Sequence, residues 1–169
     1  TPTTAALESR INLLEGGLGT ICFATGMAAI SAVFLTLLKA GDHLVVSQFV
    51  FGNTNSVVGT LRGLGIDITL VDATQASAVA AALQPNTRMV FVETVANPGT
   101  QVADLDGIGQ LCREHGLVYV VDNTVTSPAL FQPKAVGAGL VINSLTKTIG
   151  GHGTALGGAV TDTGLFNWA

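Results

Sequence analysis

The stretch "MVFVETVANPGTQVADLDGIGQLCREHGLVYVVDNT", residues 89–124, decides the fold. Two short apolar runs, "MVFVE" (89–93) and "LVYVV" (117–121), flank a helical candidate at 104–115 that stops at Gly116. Glycine takes the left-handed conformation that ends many helices. Strands that are apolar almost throughout have no face left for water, so helices must cover both of their sides. Strands separated by helices in this way pair in parallel.

The alternation continues in both directions. Further strands are predicted at "HLVVS" (43–47), "DITLV" (67–71) and "LVINS" (140–144), with helices near 53–63 and 74–83 and a shorter linker after Pro128. Gly63 and Gly65 fall where another helix should end. Upstream, Leu7, Ile11 and Leu14 mark a helix over 4–15 that closes at Gly16–Gly17, and 26–39 reads as a second helix closed by Gly41. The expected fold is α/β: a mostly parallel sheet flanked by helices on both faces. Residues 21–38 carry no charge and touch the lower length limit of a membrane span. The interruption at Thr25–Gly26 and the missing basic flank favour a buried helix after a short turn.

Composition narrows the function. The 169 residues are 48% hydrophobic and 11% charged, against about 25% charged in an average soluble domain. So little charge implies that part of the surface meets another domain or subunit. A net charge of −4 with no basic stripe argues against a nucleic-acid partner. Cys22 and Cys112 lack paired spacing and read as reduced thiols. With no visible signal peptide, they point to a cytoplasmic protein without a membrane partner. The start at Thr1 and the stop at Ala169 are read as those of a piece of a longer polypeptide.

In open parallel sheets, ligands bind beyond the carboxyl ends of the strands. Glu93, Asp122 and Ser144 stand at three such ends, with Asn97 and Lys147 in the loops that follow. Of the three lysines, Lys39 and Lys134 occupy ordinary surface contexts, whereas Lys147 lies in "NSLTKTIGGHGTALGG" (143–158), among hydroxyls and glycines. Lys147 is either a solvated surface lysine or a nucleophile. The second role needs its ordinary pKa of about 10.4 lowered, by desolvation in a nearly dry pocket or by another cation. Asp122 is either a turn cap for "DNTVTS" or a carboxylate that holds a heterocyclic nitrogen protonated, the usual companion of a lysine-bound pyridoxal. Thr25–Gly26–Met27 is either a plain helix cap or a phosphate seat, to which Ser144 and Thr146 could add hydroxyls. Phe51 is either core or a stacking surface for a flat ring. No GxGxxG, GxxxxGK[ST] or zinc-ligand spacing is present, and among the histidines only His152 lies near Lys147 in sequence.

Together "SLTK" (144–147) with "GGHGTALGG", "VVDNT" (120–124), "VETVANP" (92–98) and "TGMAAI" (25–30) resemble the pyridoxal-phosphate enzymes of cysteine and methionine metabolism. That family includes cystathionine γ-synthase, the cystathionine lyases, methionine γ-lyase and the acylhomoserine sulfhydrylases. The resemblance runs from Thr1 to Trp168. It implies the large, cofactor-binding domain of the aspartate-aminotransferase-like fold type I over residues 1–169, without the N-terminal arm and the small C-terminal domain. Lys147 would bind pyridoxal 5′-phosphate covalently and shuttle protons, and Asp122 would pair with the ring nitrogen. Gly26, Met27, Ser144 and Thr146 would hold the phosphate, and Asn97 would contact the ring's phenolic oxygen. Phe51 stands where the family usually has a tyrosine, so it would stack without donating a proton. The tail "GGHGTALGGAVTDTGLFNW" is most similar to the O-acetylhomoserine sulfhydrylase branch, which implies γ-replacement on an O-acylhomoserine. A dimer-built homotetramer acting on a small amino-acid substrate is implied too. The alternatives are a γ-lyase in the same fold and a non-catalytic α/β scaffold.

Overall fold

The computed structural model describes residues 1–169. Seven strands form one sheet: β1 (Gly19–Phe23), β2 (His43–Ser47), β3 (Asp67–Val71), β4 (Thr87–Glu93), β5 (Val118–Asp122), β6 (Leu140–Ser144) and β7 (Gly158–Asp162). Their order is β1-β7-β6-β5-β4-β2-β3. Strands β3, β2, β4, β5 and β6 pair in parallel, while β7 runs antiparallel to both of its neighbours. The five predicted strands are all present, and the sheet is mostly parallel as expected.

Two strands depart from the sequence reading. Residues 21–23 begin the uncharged run 21–38, which reads as a buried helix after a short turn, yet with Gly19 and Thr20 they form β1 at the sheet edge. The run is a strand and a helix joined at Thr25, and the shared absence of charge hid the change of period. β7 was unpredicted because "GAVTD" is short and follows a glycine-rich segment. No helix is long and apolar enough to cross a membrane.

The helices follow from caps and from strand alternation. Helix α1 (Pro2–Glu15) starts with the Thr1 hydroxyl accepting from the Thr4 amide at 3.2 Å and ends at Gly16. It buries Ile11 and Glu15 but leaves Leu7 and Leu14 exposed, so the predicted apolar stripe is only partly used. Helices α2 (Gly26–Leu37) and α3 (Gly52–Gly63) cover one face, and α4 (Ala76–Ala82) and α5 (Leu105–His115) cover the other. Successive strand residues point to opposite faces. Thus Met89, Phe91, Val120 and Ile142 join Ile30, Phe34 and Val58 on the α2–α3 side. Val90, Val92, Val121 and Val141 join Val79, Ile108 and Cys112 on the other. Phe34 meets Phe91 edge-on, with ring centroids 5.2 Å apart. Each fully buried side chain of this size contributes about 1.5–3 kcal/mol. The double apolar cover holds the strand tips at one rim.

Close packing also fixes α5. A Cβ at Gly109 would lie 1.7 Å from the Val136 carbonyl oxygen, so the helix rests directly on the backbone of the 3₁₀ turn at Pro133–Val136. By contrast, a Cβ at Gly59 in α3 would meet nothing within 4 Å. We expect Gly109→Ala to lower stability by about 1–3 kcal/mol through overpacking. Gly59→Ala should instead raise it by up to about 1 kcal/mol through helix propensity. Urea-unfolding midpoints of the two variants should therefore move in opposite directions.

Candidate functional site

A cavity of about 260 Å³ opens where the carboxyl ends of β4, β5 and β6 meet the amino ends of α2 and α3. Its lining includes Gly26, Met27, Phe51, Asn97, Asp122, Ser144, Thr146 and Lys147, so one concavity gathers every residue singled out from the sequence except His152. His152 is exposed and bonds only its own loop, at the Gly150 carbonyl.

The amino end of α2 forms one wall. Thr25 caps it, its hydroxyl accepting from the Ala28 amide at 3.0 Å and its carbonyl from Ala29 at 3.1 Å. The amides of Gly26 and Met27 then have no protein acceptor. Two free N–H groups at a helix start, with the positive end of the helix dipole behind them, suit an anion. Residue 26 must be glycine, because a Cβ there would lie 2.7 Å from the Ser144 Cβ. That contact brings the Ser144 hydroxyl, which has no partner of its own, beside the two amides. The Thr146 hydroxyl is already engaged, accepting from the Gly157 amide at 3.1 Å.

Asp122 fulfils its turn-cap reading and keeps one carboxylate oxygen free. Its Oδ1 accepts from the Thr124 amide at 2.9 Å and from the Thr124 hydroxyl, a turn cap. Its Oδ2 has no protein donor, and the residue lines the cavity. Burial pushes this carboxyl above the usual aspartate range, against the lowering effect of the two Thr124 bonds. Thr124, which sequence reasoning treated only as a turn residue, also accepts from the Ser144 amide at 2.8 Å. It thereby ties the tip of β5 to the tip of β6.

Glu93 is the second acid. It stands opposite Asp122 in the β4–β5 register, and its Oε1 accepts from the Phe51 amide at 2.7 Å. Burial raises its pKa to about 7, with a further upward push from the Asp122 charge. Phe51 precedes α3, is 40% exposed and faces the cavity, so the core reading does not hold for it. Lys147 is the only cationic side chain in the lining, and it is exposed. The nearly dry pocket expected around it is not formed by these residues.

The arrangement can hold a flat, anionic heterocycle. Free amides and a hydroxyl suit a phosphate, a free carboxylate oxygen suits a ring nitrogen, an aromatic face suits stacking, and an amine suits a carbonyl. The residues present therefore fit pyridoxal phosphate.

Comparison with known proteins agrees. A Corynebacterium glutamicum O-acetyl-L-homoserine sulfhydrylase is 40% identical over 169 residues, covering 99% of this chain and 39% of that protein. A Bacillus subtilis cystathionine β-lyase is 42% identical over 159 residues, covering 94% and 40%. A solved structure of a Campylobacter jejuni protein, described as an O-acetylhomoserine (thiol)-lyase and holding N′-pyridoxyl-lysine-5′-monophosphate, superposes with a TM-score of 0.92. That structure is 34% identical, and the match covers 96% of this chain and 40% of the other. The chain thus spans about two fifths of the length of the relatives it matches. The profile of the Cys/Met metabolism PLP-dependent enzyme family matches residues 1–169, and the chain belongs to that family.

Proposed function

We propose that residues 1–169 are the cofactor domain of a longer pyridoxal-phosphate enzyme that performs γ-replacement on an O-acylhomoserine with a sulfur nucleophile. The observation that carries this reading is the convergence of Lys147, the free Oδ2 of Asp122 and the unpaired amides of Gly26 and Met27 on one cavity. The sulfhydrylases among the relatives support the reaction type. A γ-lyase reading is favoured by the lyases at similar identity, including a Bacillus subtilis cystathionine γ-lyase at 39%.

In this reading Gly26 and Met27 donate backbone N–H groups to the cofactor phosphate, and Ser144 adds its hydroxyl. Thr146, whose hydroxyl donates to the Gly157 carbonyl and accepts from the Gly157 amide, would reach the same group by turning its one proton away from that carbonyl. Asp122 Oδ2 accepts from the protonated ring nitrogen, and the Thr124 bonds on Oδ1 keep the carboxylate aimed. Phe51 offers its ring face and no proton. Asn97 donates its side-chain amide to the phenolic oxygen. Bound pyridoxal phosphate supplies an electron sink that stabilises a carbanion at the substrate α-carbon. Lys147 Nζ is the amine that would hold the cofactor's aldehyde end and would carry protons at the substrate α- and β-carbons. Its solvent exposure in this domain implies that other polypeptide closes the site, from the remainder of the chain or from a second subunit. A dimer-built homotetramer in the cytoplasm fits this requirement and the low surface charge.

In the full-length enzyme, Lys147→Ala should abolish the visible absorption of lysine-bound cofactor, with the band returning only on addition of an amine. Asp122→Asn should retain the cofactor but lower kcat/KM by at least about 100-fold, equivalent to about 2.7 kcal/mol of lost transition-state stabilisation. Gly26→Ala should weaken pyridoxal phosphate binding by about tenfold or more, read by equilibrium dialysis, because the methyl displaces Ser144 from the phosphate seat. Supplied with O-acetylhomoserine and sulfide, the enzyme should form a thiol amino acid as its main product. Dominant release of a 2-oxo acid and ammonia would favour the lyase instead.

A further inference from the structure

Beneath the cavity lies a buried polar cluster that the proposed chemistry does not use. Glu15, the last residue of α1, is 0% exposed. Its Oε1 accepts from Asn143 Nδ2 at 2.6 Å and from Asn123 Nδ2 at 3.0 Å. Its Oε2 has no partner, and neither does the buried Oδ1 of Asn143. Asn123 also donates to the Phe131 carbonyl at 2.8 Å and accepts from the Thr126 hydroxyl. Thr126 in turn meets the Thr94 hydroxyl at 2.9 Å.

Each strand-tip member of this cluster is the chain neighbour of a cavity residue: Thr94 follows Glu93, Asn123 follows Asp122 and Asn143 precedes Ser144. Along β6 successive side chains point to opposite faces, so Asn143 turns away from the cavity that Ser144 lines.

Two unpartnered acceptors in one buried cluster are costly. Here they have a common explanation. The Asn143 amide and the Glu15 carboxyl are already joined through Nδ2 and Oε1, and the two buried atoms left without a partner, Oδ1 and Oε2, belong to these same two groups. A proton on Oε2 supplies the missing donor and closes a two-point carboxyl–amide pair. The surrounding charges agree. Helix α1 packs on β1, β7 and the short helix α6 (Ser127–Leu130), whose titratable groups are Cys22 and Asp162, and it carries Glu8 and Arg10 itself. None of these forms an ion pair with Glu15; the chain's ion pair is Arg88–Asp42, elsewhere. Lys134, close in space, donates to the Gly16 carbonyl at 2.8 Å. A carboxylate without exposure or a cation would be strongly disfavoured. Burial also raises the Glu15 pKa, against the lowering effect of the two asparagine bonds.

We infer that Glu15 is a positioning residue: a neutral carboxylic acid, donating from Oε2 to Asn143 Oδ1, that clamps the tips of β5 and β6 and so fixes the spacing between Asp122 and Ser144. This rests on the reading that Asp122 and Ser144 hold opposite ends of pyridoxal phosphate.

The test compares full-length parent enzyme with Glu15→Gln and Glu15→Ala. Glutamine reproduces every hydrogen bond of the neutral acid, because its NH₂ donates to Asn143 Oδ1 while its oxygen accepts from both asparagines. Its pyridoxal phosphate dissociation constant and visible spectrum should stay within about twofold of the parent. Alanine leaves the Asn143 side chain unpaired and removes the Glu15 bond of Asn123, and it should weaken cofactor binding by at least about tenfold while shifting the pH at which the visible band changes. Glu15→Asp takes its place should alanine not fold. The infrared difference between parent and Glu15→Gln, taken without cofactor, should show a neutral carboxylic-acid carbonyl band. A carboxylate band in its place, or Glu15→Gln as impaired as Glu15→Ala, would overturn the pairing. Unchanged cofactor affinity and spectrum in Glu15→Ala would overturn the positioning role. If the parent binds no pyridoxal phosphate, the functional reading falls while the infrared band still decides the pairing.

Discussion

The amino end of α2 reaches the tip of β6 only because residue 26 has no side chain. A Cβ there would press on the Ser144 Cβ at 2.7 Å, and the rest of the site depends on that approach. It sets two free amides and a helix dipole beside a free hydroxyl on one side of the cavity. Across from them, Thr124 draws β5 and β6 together by donating to Asp122 and accepting from the Ser144 amide. The result is a polar gradient across one small space, positive at the helix start and negative at Asp122. A molecule with a phosphate at one end and a basic ring nitrogen at the other matches it in one orientation only.

Much of this was legible in the sequence, for identifiable reasons. The runs at 43–47, 89–93, 117–121 and 140–144 are apolar nearly throughout and are bounded by turn residues, so burial on both faces leaves one structural solution, and 67–71 joins them as the partly exposed edge strand β3. Asp122, Ser144 and Lys147 could then be placed at one rim by topology alone. β1 was hidden because it shares an uncharged run with α2, and β7 because its pairing with β1 and β6 is long-range. Glu15 gave no local signal: a glutamate ending a helix reads as solvated, and its burial follows from where α1 docks on the sheet. The structure also corrects the surroundings of Lys147, since dryness is a property of closed walls and the local glycines supply none.

The exposed apolar residues around the cavity bear on how it is completed. Phe51, Val125 and Leu156 line it at 40%, 45% and 75% exposure, and Leu14 and Leu18 add apolar surface on other parts of the chain. With only 11% charged residues, the chain has few charged groups to cover these side chains, which supports the closure by further polypeptide proposed above. Relatives more than twice as long as this chain are consistent with that requirement.

The two acids of the site differ in what surrounds their carboxyl groups. Glu93 and Asp122 are register partners on neighbouring strands, and two negative charges so placed repel in a poorly solvated cavity. The pKa of Glu93, raised to about 7 chiefly by burial, lets it shed its charge near neutrality while its Oε1 still accepts from the Phe51 amide. Asp122 is raised as well, but Thr124 donates to it twice and so favours its ionised form. Loss of the Glu93 charge would relieve that repulsion and leave the free Oδ2 of Asp122 as the floor's acceptor without a protein donor. In the proposed function a protonated ring nitrogen would donate to that oxygen, while Glu93, accepting from the Phe51 amide, holds the aromatic wall in place.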